Sequence, residues 1–286
     1  MPELPEVEVV RRGIHEHVVG KTIAKVSVKH PRAVQRQSGG AREFTSRLTN
    51  RKVVDTSRRG KFMWLILDND QALVTHLGMS GQVLIQPLTA QPETHLRVRC
   101  EFTKGKYAMH FVDQRTFGWM NVEELTPDDS GIKLPTSAGH IAKDPLDETW
   151  DLAACVAAIR KKPSQIKKVL LDQTVVSGIG NIYADEALWL TKVHWGTPAN
   201  SLSASKLSAI LTNAQEVMRQ ALAVGGTSFD SLYVNVNGQS GYFSRELNAY
   251  GREDEPCARC GRLMVREQFM NRSSFRCPKC QPLTSR

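Results

Sequence analysis

The sequence predicts an α+β protein in which a β-sandwich with an N-terminal helix precedes a helical domain and a C-terminal zinc β-hairpin. Three observations support this class. Apolar residues alternate with period two in the first half of the chain, helical periodicity follows residue 150, and four of the six cysteines lie between residues 257 and 280. A chain of 286 residues is also too long for a single compact core to be the expected arrangement.

The first predicted element is a helix over residues 5–19. Pro5 occupies the first helical position, where proline is favoured, and Gly20 ends the segment. Apolar residues recur at three- and four-residue spacing, which predicts one buried face formed by Val7, Val10, Ile14 and Val18.

Strand patterns follow this helix. Ala24, Val26 and Val28 alternate with polar residues, and the run 96–102 alternates in the same way before a Lys-Gly-Lys turn and a second run over 107–112. Further apolar runs cover 62–67, 72–75 and 82–85. These short strands predict a β-sandwich or barrel.

Proline, glycine, serine and aspartate dominate residues 126–149, which indicates a hinge or linker. Helical patterns then cover 151–162, 181–191 and 203–224. We therefore expect a sandwich domain over 2–130, a hinge over 131–150, a helical domain over 151–250 and a zinc finger over 251–286.

Composition narrows the class of partner. Apolar residues make up 41% and charged residues 23% of the chain, and there is no apolar run long enough to span a membrane. The acidic, proline-bearing N-terminus is unlike a signal peptide, so we expect a cytoplasmic protein. Lysine and arginine number 38 against 29 acidic residues, and the net charge of +9 suits a nucleic acid.

The cysteine spacing is the strongest pattern in the sequence. Cys257 and Cys260 are separated by two residues, and so are Cys277 and Cys280, with sixteen residues between the two pairs. This spacing delivers four thiolates to the tetrahedral geometry that zinc prefers. All four positions are filled, so we expect one structural Zn²⁺; a redox pair is the alternative.

The N-terminus suggests covalent chemistry. Removal of Met1 would give Pro2 a free secondary amine, which is less basic than a lysine and is therefore more often unprotonated at neutral pH. Its condensation with a sugar aldehyde gives an iminium that holds its charge, and Glu3 and Glu6 could supply carboxyl groups for proton transfer. Alternatively, these acids only favour the helix N-terminus.

The chain resembles the formamidopyrimidine-DNA glycosylases essentially from end to end. The resemblance rests on motifs that occur in the family's order: Met1 to Glu8, Arg58-Arg59-Gly60-Lys61, His76-Leu77-Gly78-Met79-Ser80-Gly81, Gly178-Ile179-Gly180-Asn181-Ile182-Tyr183, Gly241-Tyr242-Phe243, Tyr250-Gly251-Arg252 and the cysteine pairs.

The resemblance implies specific catalytic roles. Pro2 matches the Schiff-base nucleophile, and Glu3 matches the proton donor in base removal. Lys61 matches the lysine assigned to β-elimination, and Arg272 matches the arginine assigned to δ-elimination. Both basic residues are also suited to binding the phosphates that flank a lesion.

The resemblance also implies a DNA interface. In the family, a wedge of side chains fills the hole left by a flipped base. The matching residues here are Met79, Arg115 and Phe117, which we call the wedge residues. Asn181 matches the phosphate-binding asparagine of a helix-two-turn-helix. The remaining expected DNA contacts are His76, His95, Lys162 and Lys167.

The implied activity is excision of oxidised purines from duplex DNA followed by β,δ-elimination, by a monomer without a nucleotide cofactor, associated with the nucleoid. Alternatives are an endonuclease VIII type that prefers oxidised pyrimidines, a non-catalytic zinc-ribbon DNA-binding protein, and a protein of the translation apparatus. Departures from the family pattern at Gln114, Thr116 and the 227–230 loop leave the lesion range open.

Overall fold

The computed structural model describes residues 2–128, 131–226, 235–239 and 246–283. The chain divides into two compact units. The first unit comprises Met1–His140 and Val224–Tyr242, and the second comprises Ile141–Ala223 and Phe243–Arg286.

The first unit contains an N-terminal helix and two antiparallel sheets. Helix α1 covers Leu4–Val18. One sheet has the strand order β1-β6-β7-β5, and the other has the order β2-β3-β4-β8-β9. The first sheet consists of β1 (Ile23–Val28), β6 (Leu96–Phe102), β7 (Tyr107–Asp113) and β5 (Gly81–Pro87). The second consists of β2 (Val53–Arg59), β3 (Phe62–Leu67), β4 (Gln71–His76), β8 (Trp119–Pro127) and β9 (Lys133–Pro135).

The two sheets share one hydrophobic core, as a sandwich requires. Cys100 and Phe111 of the first sheet and Leu65 and Leu73 of the second belong to the same buried cluster. Helix α1 adds to it the four residues predicted from its periodicity, Val7, Val10, Ile14 and Val18.

Among the described α-helices and strands of this unit, four lie outside the sequence prediction. Strands β2 and β8 lack a strict alternation of buried and exposed residues, so period two did not identify them. Helix α2 (Gly40–Leu48) buries only Phe44 and Leu48, which is too sparse an apolar pattern to indicate a helix. Strand β9 lies in the segment interpreted as a hinge, where it pairs with β8 through Leu125 and Pro135. A strand of three residues leaves no periodic signal.

The second unit consists of helices and one hairpin. Its helices are α3 (Leu152–Arg160), α4 (Ile166–Leu170), α5 (Asn181–Thr191) and α6 (Ala204–Ala223). Strands β10 (Val265–Phe269) and β11 (Arg272–Arg276) form an antiparallel pair between the two cysteine pairs. Among the described α-helices and strands of this unit, only the five-residue α4 was not predicted.

The α+β class predicted from the sequence is confirmed, with its N-terminal helix, sandwich, helical region and C-terminal cysteine hairpin. Among the described residues, every helix is too short or too polar to cross a lipid bilayer.

Candidate active site and nucleic-acid interface

The start of helix α1 is held by a capping box. Glu3 is the N-cap residue, and its side chain accepts a hydrogen bond from the backbone of Glu6. In return, the Glu3 backbone N–H donates to Glu6 Oε2 at 2.8 Å. Pro2, Glu3 and Glu6 are all buried. The buried Pro2 therefore directly precedes a helix start that the Glu3–Glu6 capping box holds in place.

Gly226 lies beside this helix start. Gly226 has a φ of +90°, and a Cβ built on it would lie 3.4 Å from Glu6 Oε1. The backbone that leads into residues 227–234 therefore runs close to the Glu6 carboxylate. The loop after Gly226, whose sequence bears on the lesion range, lies outside the described residues.

Lys61 follows the turn between β2 and β3 and is 7% exposed. Arg58 fixes this turn, because its Nη1 donates to the Gly60 carbonyl at 3.0 Å and its Nε donates to Glu8 Oε2 at 3.1 Å. Helix α1 thus orients the turn that carries Lys61 through the Glu8 carboxylate.

Glu8 is surrounded by cations. Besides Arg58, it pairs with Arg11 and Arg12 at 2.9 and 2.8 Å. Burial opposes the ionisation of Glu8, but the hydrogen bonds and charges of these arginines outweigh it and lower the pKa from 4.5 to about 2. Glu8 is therefore a fixed anion between the helix and the turn.

His76 ends strand β4 and stacks on Trp119, with ring centroids 5.8 Å apart. Burial and the nearby charges of Lys61 and Arg36 lower its pKa to about 4, so the imidazole is neutral at pH 7. The Gly78 backbone N–H donates to His76 Nδ1 at 3.1 Å, which leaves the ring proton on Nε2. A neutral Nε2–H donor suits a phosphate oxygen.

The wedge residues are exposed rather than part of the core. Met79 is 42% and Phe117 47% exposed, and the Arg115 guanidinium lies 4.8 Å from the Phe117 ring centroid. The two loops that carry them meet at Gly78, where an added Cβ would lie 2.5 Å from the Phe117 carbonyl carbon. Only glycine permits this approach at a φ of +60°.

Asp113 fixes the two loops to each other. Its side chain is fully buried at the end of β7, and Oδ1 accepts from the Ser80 hydroxyl at 2.5 Å and from the Arg115 N–H at 3.2 Å. Oδ2 accepts from the Gly118 N–H at 2.7 Å. His95 is half-buried nearby, and its carbonyl accepts from the Asp113 N–H at 3.0 Å.

In the second unit, three predicted site residues reach solvent. Lys162 is exposed just after α3, and Asn181 is half-buried as the first residue of α5. Arg272 is exposed at the start of β11, next to the hairpin turn.

Lys167 differs from these residues. It is 0% exposed, and its Nζ lies 2.7 Å from Asp185 Oδ1. The buried ammonium presents no surface to a DNA phosphate in this structure. The structure therefore places Lys167 in an interior ion pair and not at the surface, where a DNA contact was expected.

The four cysteines converge around one point. Their sulfur atoms all lie within 4.8 Å of one another, and Cys260 Sγ is 3.5 Å from Cys277 Sγ. A zinc–sulfur bond of about 2.3 Å places tetrahedral sulfurs about 3.8 Å apart, so the cluster fits Zn²⁺. The four thiolates complete the coordination sphere, and the metal is structural.

The cysteine cluster is packed onto helix α5. Cys257 and Cys277 share a buried cluster with Trp189 of that helix, and Arg259 lies 3.7 Å from the Trp189 ring centroid. Arg259 Nη1 also donates to the Trp189 carbonyl at 2.8 Å. Zinc binding therefore fixes the hairpin against the helical region.

Three anions that organise these elements were missed at the sequence level: Glu8, Asp113 and Asp185. Each is an acidic residue within an otherwise apolar or strand-like run. Such a residue is buried only when it is paired, so its position in the pattern is a signal that sequence reasoning could have used.

Comparison with known families agrees with this architecture. Residues 1–120 match the formamidopyrimidine-DNA glycosylase N-terminal domain, 141–232 match the formamidopyrimidine-DNA glycosylase H2TH domain, and 254–283 match the zinc finger found in FPG and IleRS.

Individual relatives match over nearly the whole chain. The formamidopyrimidine-DNA glycosylase of Thermobifida fusca is 55% identical over 99% of this chain and 98% of its own. Lactococcus lactis Fpg in complex with abasic-site DNA is 31% identical, with a TM-score of 0.84 over 98% of this chain and 99% of its own. MutM in complex with carbocyclic 8-oxo-G DNA is 31% identical, with a TM-score of 0.85 over 98% of this chain and 100% of its own.

This protein is a zinc-finger protein with a helix-two-turn-helix region, as its fold, its cysteine cluster and its domain matches show. Within that class, the chain belongs to the formamidopyrimidine-DNA glycosylase family.

Proposed function

We propose that this protein is a bifunctional DNA glycosylase and abasic-site lyase that removes 8-oxoguanine and formamidopyrimidines from duplex DNA in base excision repair. The observation that carries the proposal is the capping box that holds Glu3 at the start of α1, directly after the buried Pro2, in a chain of this family. Relatives in complex with abasic-site DNA and with 8-oxo-G DNA support the substrate class. The enzyme would act on the chromosome, in the cytoplasm and with the nucleoid.

Base removal begins with the amine of mature Pro2. Its lone pair forms a bond to C1′ of the damaged nucleotide, and the glycosidic bond breaks with its electron pair leaving on the base. The attached nitrogen loses its N–H proton, which neutralises the departing base. Its lone pair then forms an iminium with C1′, and the C1′–O4′ electrons move onto O4′ and open the sugar ring. Glu3, as a carboxylic acid, protonates that oxygen.

Strand cleavage follows from the charge on the iminium. Loss of a proton from C2′ expels the 3′ phosphate, and loss of a proton from C4′ expels the 5′ phosphate. Lys61 serves the first elimination and Arg272 the second, and both also bind flanking phosphates. Water hydrolyses the remaining iminium and regenerates Pro2, which leaves a one-nucleotide gap with phosphate ends.

The remaining assignments concern DNA binding. His76 donates from Nε2 to a phosphate, and His95, Lys162 and Asn181 contact the backbone. The wedge residues fill the space left by the extruded base: Phe117 and Met79 contact neighbouring bases, and Arg115 hydrogen-bonds to the orphan base.

Excision assays on two lesions test the substrate assignment. Duplexes that carry 8-oxoguanine opposite cytosine or thymine glycol opposite adenine are incubated with excess enzyme, and single-turnover rates are compared. We expect the purine lesion to be excised at least about tenfold faster, which corresponds to a difference of about 1.4 kcal/mol in activation free energy. Faster removal of thymine glycol would instead identify an endonuclease VIII type of enzyme.

A further inference from the structure

Lys167 and Asp185 form a fully buried ion pair in the second unit. Both side chains are at most 1% exposed, and the Nζ to Oδ1 distance is 2.7 Å. The Lys167 ammonium also lies 4.9 Å from the ring centroid of Phe269 in strand β10. An ion pair this deep is costly to desolvate, so its net contribution to stability is small.

Asp185 connects helix α5 to strand β11. Its Oδ1 accepts from the Ser274 hydroxyl at 2.8 Å, and its Oδ2 accepts from the Phe275 backbone N–H at 3.0 Å. With Lys167, the carboxylate therefore has three donors. Two of these donors belong to the strand that starts with Arg272.

A second connection involves the residue directly after Arg272. The Ser273 carbonyl accepts from Asn181 Nδ2 at 2.9 Å and from Lys167 Nζ at 3.4 Å. Asn181 and Arg272 are both proposed DNA contacts. The Ser273 carbonyl connects them, because it accepts from Asn181 and belongs to the residue that follows Arg272. The spacing between them is therefore set by hydrogen bonds that converge on Lys167 and Asp185.

We propose that the Lys167–Asp185 pair is a positioning device for Arg272: it fixes the register of β11 on helix α5, so that the guanidinium is held where δ-elimination needs it. This inference rests on the proposed function. Lys167 and Asp185 act through Arg272 and Asn181 and do not touch the substrate. Apolar packing could hold the strand as tightly, but the directional donors of the pair also fix its register.

The ratio of δ- to β-elimination products tests this inference. Full-length zinc-loaded protein is given duplex DNA with a preformed abasic site, so that base removal is not required, and the products are separated on a denaturing gel. Lys167→Met keeps the length of the side chain but removes the ammonium. We expect the ratio to fall at least about tenfold, because small displacements of a catalytic group cost about this much or more.

Two further measurements separate positioning from loss of folding. Borohydride trapping counts the enzyme molecules that form the covalent intermediate, and the product ratio is evaluated for those molecules alone. Amide hydrogen exchange at Phe275, whose N–H donates to Asp185, should accelerate in Lys167→Met while bound zinc remains stoichiometric.

Lys168→Met is the matched control, because Lys168 is the exposed neighbour on the same helix, and its product ratio should stay within about twofold of the unmutated protein. If Lys167→Met does not retain zinc, Ser274→Ala is tested in its place. This variant removes one donor to Asp185 with little change in volume, and it should lower the ratio of δ- to β-elimination products about threefold. An unchanged ratio in the variant that retains zinc overturns the inference. Absence of a covalent adduct in the unmutated protein would instead contradict the proposed function.

Discussion

Glu8 shows how single residues organise the proposed catalytic elements. It lies on helix α1, and its carboxylate pairs with Arg11 and Arg12 of the same helix and with Arg58 of strand β2. The sequence places Glu8 within a family motif, but its role depends on Arg58, fifty residues away. Local patterns do not contain such partners, which explains why Pro2 and Glu3 could be assigned from the sequence while Glu8 could not.

Glu8→Gln should destabilise the protein by about 2 kcal/mol at pH 7. A carboxyl whose pKa is lower in the folded state stabilises that state fully at pH values above its unfolded pKa. That value is 4.5, and the folded pKa is about 2, so the contribution is lost as the pH falls through this interval. Urea unfolding at several pH values measures it. Glu16→Gln, on the exposed face of the same helix, should change stability by less than about 0.5 kcal/mol. A Glu8→Gln penalty that is independent of pH would contradict this account.

His76 should remain neutral during a pH titration from about pH 8 to about pH 5, because burial and the charges of Lys61 and Arg36 lower its pKa from 6.5 to about 4. Nitrogen-15 NMR of the imidazole should show the proton on Nε2 throughout. A transition near pH 6.5, or a proton on Nδ1, would contradict the hydrogen bond from Gly78.

At the scale of elements, regular periodicity identified several core-forming elements, such as α1 and β3. It did not identify β2, β8 or α2, which contribute Val53, Val122 and Phe44 to the core. Helix α5 starts and ends at the residues predicted, and strand β3 also has its predicted bounds. The short elements α4 and β9 could not be predicted, because their five and three residues are stabilised by tertiary contacts instead of a repeating pattern.

Because the wedge residues are exposed, a substitution there should change activity without a large change in stability. Phe117→Ala removes a side chain that is 47% exposed, so the free energy of unfolding should change by less than about 1 kcal/mol. Excision of 8-oxoguanine should fall at least about tenfold, because the space left by the flipped base is no longer filled. Single-turnover excision and urea unfolding on the same preparation measure both quantities.

Tyr107→Ala is a suitable control for the wedge, because this aromatic side chain is 43% exposed on strand β7 and belongs to no proposed contact. Its excision rate should stay within about twofold of the unmutated protein. Equal losses in the two variants would show that exposed aromatic area, and not the wedge, limits excision.

For the whole molecule, zinc connects the hairpin that carries Arg272 to the helical region. The sequence predicted the metal from spacing alone, because four thiolates at this spacing have few other uses. It could not predict the Lys167–Asp185 pair, which depends on the fold bringing helices α4 and α5 to the hairpin strand.

Removal of zinc should abolish the contribution of the hairpin to DNA binding. Cys260→Ser should lower the zinc content below one per chain and weaken binding to abasic-site DNA at least about tenfold, since an open site loses the metal's folding energy. Metal analysis by mass spectrometry and fluorescence anisotropy measure the two effects. Cys155→Ser, a change at a cysteine outside the cluster, should leave zinc content unchanged.

Covalent catalysis by the terminal proline can be tested by trapping and peptide mapping. Mature protein whose intact mass lacks Met1 is incubated with 8-oxoguanine duplex and sodium borohydride, and the adduct is located by mass spectrometry. We expect the deoxyribose remnant on the Pro2 nitrogen, and no adduct when one glycine precedes Pro2. An adduct on Lys61, or full-speed excision and nicking by the extended protein, would contradict the mechanism.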